Sequence, residues 1–465
     1  MDFSGSNSSL WFLIVQFGLS AALVLFGNLL RRKILLLRIS LLPTAVIAGF
    51  LGLFVRQMGW IPFDKTFLEA VTYHMTAIGF IAISLRKPTR SERETSKKLF
   101  RDGVNSGVFI VSNYLIQCAV GLVITIILSL TFMPGIFKAA GIILPLGYGQ
   151  GPGQAFNIGN TYEQAYGFAG GATFGLAIAT MGTLWACIGG IIYLNIVARR
   201  RRQATEQVDA ARIDHIQEPC FETGEIPLTE AVDKFTIQLA FVLLIYLVTY
   251  GLSSILTTAL SGNPGLSKTL VPLIWGFNFL IGSSFALVVR AIMGLLRQRK
   301  IMNRQYTNNY LLNRISGSAF DIMVFTSICA IEIGDLTGLW VPFLLMSVAG
   351  GFVTLFYIRA IAKVLYPDYV LEGMLAMYGM MTGTISTGIM LLREIDPSFK
   401  TPAANNLVVG SSVAIIVGAP MLLLIGLAPQ SDLLLYVTLV ASLALALILN
   451  VYLLRSKLFK RYREN

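Results

Sequence analysis

Long apolar runs, separated by short clusters of Lys and Arg, restrict this chain more than any other feature. A helix needs about 20 apolar residues to cross the hydrocarbon of a bilayer. Eleven runs of roughly that length occur, at about 10–30, 34–56, 67–85, 104–132, 168–197, 235–259, 270–292, 317–334, 339–364, 403–427 and 433–454. Hydrophobic residues make up 55% of the chain and charged ones 13%, with a mean hydropathy of +0.71. That composition cannot clothe a water-soluble exterior. The expected class is therefore an all-α polytopic membrane protein. The first run, from Leu10, is too long for a signal peptide and lacks a basic leader, so it is read as a true span.

The net charge of +12 does not point to nucleic acid, because the cations cluster between apolar runs. Such clusters are topology signals and contacts to anionic lipid. Arg31–Lys33, Arg86–Arg101, Arg199–Arg202, Arg297–Arg304, Arg359 with Lys363, and the tail from Arg455 all fall on one side if the N-terminus is outside and the C-terminus cytoplasmic. The opposite loops hold only isolated cations. This predicts a multi-pass protein of the cell (inner) membrane. Four cysteines have neither metal-ligand nor disulfide spacing.

The polar stretch 199–232 reads as a cytoplasmic linker between a first repeat, 1–198, and a second, 233–428; 429–465 is then an extra span with a basic tail. Each half contains one segment that is apolar, then glycine-rich, and too broken for a clean span: about 138–160 and about 370–395. Tyr148, Gly149 and Gly153 recur at identical spacing as Tyr378, Gly379 and Gly383. By the charge pattern one unit starts outside and the other inside, so the two are expected to be inverted five-helix repeats, each with a re-entrant hairpin.

Backbone that leaves the helix within a bilayer must be satisfied by protein, water or ligand. Freed carbonyls suit Na⁺, and helix N-termini suit a carboxylate. The candidate substrate and Na⁺ residues are Gly147, Gly149, Gln150, Gly151, Gly153, Gln154 and Asn157 in the first segment. In the second they are Gly379, Thr382, Gly383, Thr384, Ser386 and Thr387, with Arg393 as a cation for a substrate carboxylate. The Na⁺ ligands are expected among hairpin carbonyls and Ser/Thr oxygens. Asp321, near the cytoplasmic start of the eighth run, is a candidate coupling group. No nucleotide-binding, zinc-protease or nucleophile-elbow motif occurs. The chain is read as no enzyme, and no cofactor is expected.

Pro43–Gly49, Leu144–Gln154 and Ala172–Leu176, preceded by Tyr166–Phe168, resemble the bacterial sodium/glutamate symporters over nearly the whole length. The chain differs from that family's usual pattern at Tyr148, at Asp321 and across 378–384. The resemblance implies Na⁺-coupled uptake of glutamate or a similar acidic amino acid by alternating access. Through the family's kinship with citrate-type sodium symporters it also implies an elevator motion and a homodimer. The alternatives are an Na⁺- or H⁺-coupled carrier of another small carboxylate, and an ion channel with two selectivity loops.

Overall fold

A chain this apolar has to close its backbone hydrogen bonds internally, and helices do so within one segment. The computed structural model describes residues 7–35, 37, 42–86, 97–190, 192–194, 233–262, 267, 270, 271, 274–302, 304–396 and 401–463, and no β-strand occurs among them. The helices are α1 (Ser8–Lys33), α2 (Thr44–Gln57), α3 (Lys65–Leu85) and α4 (Lys97–Leu130). Next come α5, a succession of 3₁₀, α and π turns over 138–150, then α6 (Pro152–Tyr166) and α7 (Gly171–Leu184), which continues in a π turn, Trp185–Gly189. After these follow α8 (Lys234–Leu260), α9 (Asn278–Gln298), α10 (Asn309–Cys329) and α11 (Trp340–Leu365). The last five are α12 (Val370–Thr382), α13 (Ile385–Arg393), α14 (Ala403–Val417), α15 (Ala419–Leu427) and α16 (Asp432–Arg463). The expected linker, 199–232, lies outside the described residues.

Eight described helices are long and apolar enough to cross a bilayer, so the protein is a multi-pass membrane protein. The other three expected runs differ from simple spans. In the second, the described helix after Pro43 is the 14-residue α2, since proline lacks the N–H that would continue a preceding helix. The tenth bends by 51° between α14 and α15, at Gly418 before Pro420. The eighth starts earlier than its hydropathy suggested, since Asn308 caps α10 by accepting from Leu311 N at 2.9 Å. That correction moves Asp321 from the start of the helix to its middle.

The chain divides into two compact units. The first holds α1–α3 and α8–α10. Its core packs Ile81, Ala82 and Leu85 of α3 on Val242 and Ile245 of α8, Ala286 of α9, and Leu312 and Ile315 of α10. Thr72 and Thr326 share a buried hydrogen bond of 2.9 Å between α3 and α10.

Within this unit two polar devices each occur twice. Gln16 of α1 donates to Pro62 O and accepts from Asp64 N, and Asp64 caps α3. Gln238 of α8 donates to Tyr306 O and accepts from Asn308 N, and Asn308 caps α10. Likewise Arg56 of α2 donates to Cys329 O at the end of α10 and to Ile331 O just beyond it, while Arg290 of α9 donates to Ser84 O and Arg86 O at the end of α3. These side chains satisfy the backbone groups that a helix end leaves open.

The second unit holds α4–α7 and α11–α16. Its centre is α4, against which 138–150, α11, α14 and α16 pack. Glycine permits the closest approaches: a Cβ on Gly121 would lie 2.0 Å from Gly141 O, so the two backbones touch. Tyr357 of α11, Ser112 of α4 and Asn450 of α16 join in a polar triangle with contacts of 2.7, 2.8 and 2.9 Å.

The Gln238 clamp gives a stability prediction. Gln238→Ala takes the side-chain partner from the buried Asn308 N and from Tyr306 O, and costs about 1–3 kcal/mol. The measurement is thermal unfolding in detergent, where a Tm equal to wild type would contradict it.

Candidate functional site

Two helix breaks in the second unit come together. The first lies between α5 and α6, where Gly151 takes φ 95° and ψ 178°. An L side chain rarely adopts that conformation. Pro152 follows as the first residue of α6, and no side chain caps that helix. Proline at this position has no N–H to lose and its fixed φ starts the helix. The second break lies between α12 and α13, at Gly383 and Thr384. A Cβ on Gly151 would lie 3.3 Å from Thr384 Cγ2, so the two breaks are in contact distance.

Both segments fold back on themselves. Gly379 of α12 meets Gly388 of α13 closely enough that a Cβ on Gly379 would sit 2.7 Å from Gly388 Cα. In the first segment Phe137, just before α5, stacks on Phe168 and lies beside Tyr162 near the end of α6.

α4 receives the ends of both incoming helices. Tyr114 donates to Gly149 O at 2.8 Å. Gln117 Nε2 donates to Met381 O at 3.0 Å, in the last turn of α12, and to Thr354 Oγ1 of α11 at 2.8 Å. α7 closes the other side: a Cβ on Gly182 would lie 2.4 Å from Thr382 O.

The expected residues fare differently. Gly147, Gly149, Gly151 and Gly153 line the first break, and apart from Gln150 the segment is buried. Gln154 is 2% exposed and its Oε1 has no hydrogen-bond partner. Asn157 is also buried, one turn further along α6. Gly379 serves the α12–α13 packing. The threonines are largely spent on their own segment: Thr382 donates to Tyr378 O at 2.7 Å, while Thr384 Oγ1 caps α13 through Thr387 N at 3.4 Å and lies 3.2 Å from Thr387 Oγ1. The side chains of Ser386 and Arg393 lie outside the described residues. Asp321 belongs to the first unit, exposed on α10.

The paired tyrosines have packing roles. Tyr148 is fully buried and donates to Ser347 O of α11, and Tyr378 donates to Trp185 O of the α7 π turn at 3.2 Å. Three residues that the sequence reading passed over, Asn113, Tyr114 and Gln117, face this centre or lie one turn from it. Their signal was a pair of carboxamides four residues apart in an apolar span.

The close contacts rank the glycines. A Cβ on Gly149 would lie 2.0 Å from Tyr114 Cε1, whereas one on Gly383, at φ −136°, would lie no nearer than 3.0 Å to Thr387 Oγ1. Gly149→Val and Gly182→Val are expected to cost about 1–3 kcal/mol or more through overpacking, with loss of uptake. Gly383→Ala, with contacts of 3.0–3.2 Å to relieve, is expected to lower the Tm less than either. Parallel unfolding and uptake measurements on the three variants test this order.

No curated protein and no solved structure matches the chain. The family model for the sodium/glutamate symporter matches residues 13–400. With the long apolar helices, that match makes the protein a transporter rather than an enzyme: the chain belongs to the sodium/glutamate symporter family.

Proposed function

We propose that this chain imports glutamate or a similar acidic amino acid by alternating access, driven by the inward Na⁺ gradient and the membrane potential. The observation that carries the reading is the meeting of two helix breaks at Gly151 and Thr384. α6 and α13 both start there. The first N–H groups of a helix have no intrahelical partner, and the dipole places positive charge at that end. On α6 no side chain takes up those groups. A substrate carboxylate is held there without a fixed cation in the membrane. Gln154, in the first turn of α6, offers an unpaired buried Oε1 to the substrate's ammonium group.

In this reading 138–160 and 370–395 are re-entrant hairpins, and 1–198 and 233–428 are inverted repeats. The matched devices support the repeats: Gln16 and Gln238 clamp the starts of α3 and α10, and Arg56 and Arg290 cap the ends of α10 and α3. Repeats of opposite orientation with broken helices at the middle are the architecture in which such carriers bind solute. The N-terminus is outside, the C-terminus cytoplasmic, and the working form a homodimer in the cell membrane. Asp321, a carboxylate within a span, motivates a comparison of H⁺ with Na⁺ as the driving ion.

The test is uptake of labelled glutamate into proteoliposomes. An inward Na⁺ gradient is expected to drive accumulation, and an equal K⁺ gradient or a proton gradient is not. Gln154→Leu is expected to raise the KM for glutamate by about tenfold, the loss of roughly one hydrogen bond to a charged group. Uptake indifferent to Na⁺ would overturn the coupling, and accumulation of other carboxylates in preference to glutamate would overturn the substrate.

A further inference from the structure

α4 carries two carboxamides, Asn113 and Gln117, four residues apart and therefore on one face, with Cβ atoms about 6 Å from each other. Both side chains are fully buried, at 0% exposure. Neither Oδ1 nor Nδ2 of Asn113 has a hydrogen-bond partner, and Gln117 Oε1 has none either. The orientation of the Gln117 amide is set by its neighbours. Met381 O can only accept, so the group facing it must be Nε2. Its oxygen is thereby left as an acceptor with nothing to accept from.

A buried amide left without a partner forfeits its hydration with nothing in return. Unpaired polar groups of this kind, side by side within one helix, mark a place that something else completes. Several observations specify its chemistry. The amide oxygens of Asn113 and Gln117 are hard, neutral donors, and the hydroxyl oxygen of Thr354 lies 2.8 Å from Gln117 Nε2. The last turn of α12 comes to the same glutamine through Met381 O. A helix C-terminus carries partial negative charge and favours a cation. The helix N-termini at the two breaks favour an anion, so cation and carboxylate are drawn to different groups.

Size narrows the choice further. The orphaned atoms are closed to water-sized contact. A dehydrated Na⁺ is smaller than a water molecule, whereas a substrate ammonium brings a whole amino acid with it. We propose that Asn113 and Gln117 of α4, beside Thr354 of α11 and the C-terminal turn of α12, form a binding site for dehydrated Na⁺. This rests on the sodium-driven reading above and adds side chains from an unbroken helix to the ion's ligands. Because Gln117 also holds Met381 O, an ion at this site bears on the position of the α12 end.

The experiment uses the purified full-length protein without glutamate. Thermal unfolding is followed across NaCl concentrations, with KCl keeping the ionic strength constant. Wild type is expected to gain Tm with Na⁺. In Asn113→Leu and Gln117→Leu the Na⁺ concentration for half of that gain is expected to rise at least about tenfold. In Asn113→Leu, which removes no hydrogen bond to either break, the KM for glutamate at saturating Na⁺ should stay within about threefold of wild type. Asn113→Asp supplies a test that does not depend on the apolar variants folding. Protons then compete with the ion at the new carboxylate, so the half-effect concentration should rise as pH falls, in this variant alone. Wild-type Na⁺ dependence in both leucine variants, or a pH-independent value in Asn113→Asp, would overturn the site. A wild-type protein with no Na⁺ response at all would instead overturn the sodium-driven reading itself.

Discussion

Backbone amides that leave the helix in apolar surroundings need partners, and the second unit is arranged around meeting that need. α5 and α12 end in the protein interior rather than at a surface. Their terminal carbonyls are taken up by Tyr114 at Gly149 and Gln117 at Met381, both from α4. Each unsatisfied group would cost several kcal/mol in hydrocarbon. α4 is thus more than packing: it presents polar side chains where two incoming helices run out of hydrogen bonds. Small residues allow the approach, as at Gly121 against Gly141 and Gly182 against Thr382.

The same need is met differently in the first unit. There the helix ends are closed by side chains of neighbouring helices. Gln16 and Gln238 hold the entries to α3 and α10, and Arg56 and Arg290 hold the exits of α10 and α3. The backbone groups named at those ends are paired, while Arg86 Nε and Thr307 Oγ1 beside them are not. In the second unit Gln154, Gln117 and Asn113 retain unpaired buried atoms. A transporter needs both arrangements. A framework gains from closed helix ends, whereas a site for ion and solute has to hold back hydrogen-bonding capacity for its cargo.

This contrast explains why residue type was a poor guide to ligands. Thr382, Thr384 and Thr387 are hydroxyls at a helix break, yet their oxygens bond their own segment. Tyr148 and Tyr378 recur at matching positions and serve as buried hydrogen-bonded anchors. Asn113 and Gln117 were passed over as polar residues in an apolar run. What separates these groups is whether a partner is already present.

By itself the sequence determined the membrane class, most of the spans and the two places where helices fail, because these follow from local properties: apolar length, proline, and glycine free to take φ 95° at position 151. It misjudged the ends of α10 and the continuity of the α14–α15 pair, where capping and bending at single residues override mean hydropathy. Only the tertiary structure decided that the two breaks meet, that α4 receives both, and which amides remain unpaired. The physical reason is that a hydrogen bond between residues 264 apart, such as Gln117 to Met381, leaves no mark in the local pattern of either segment.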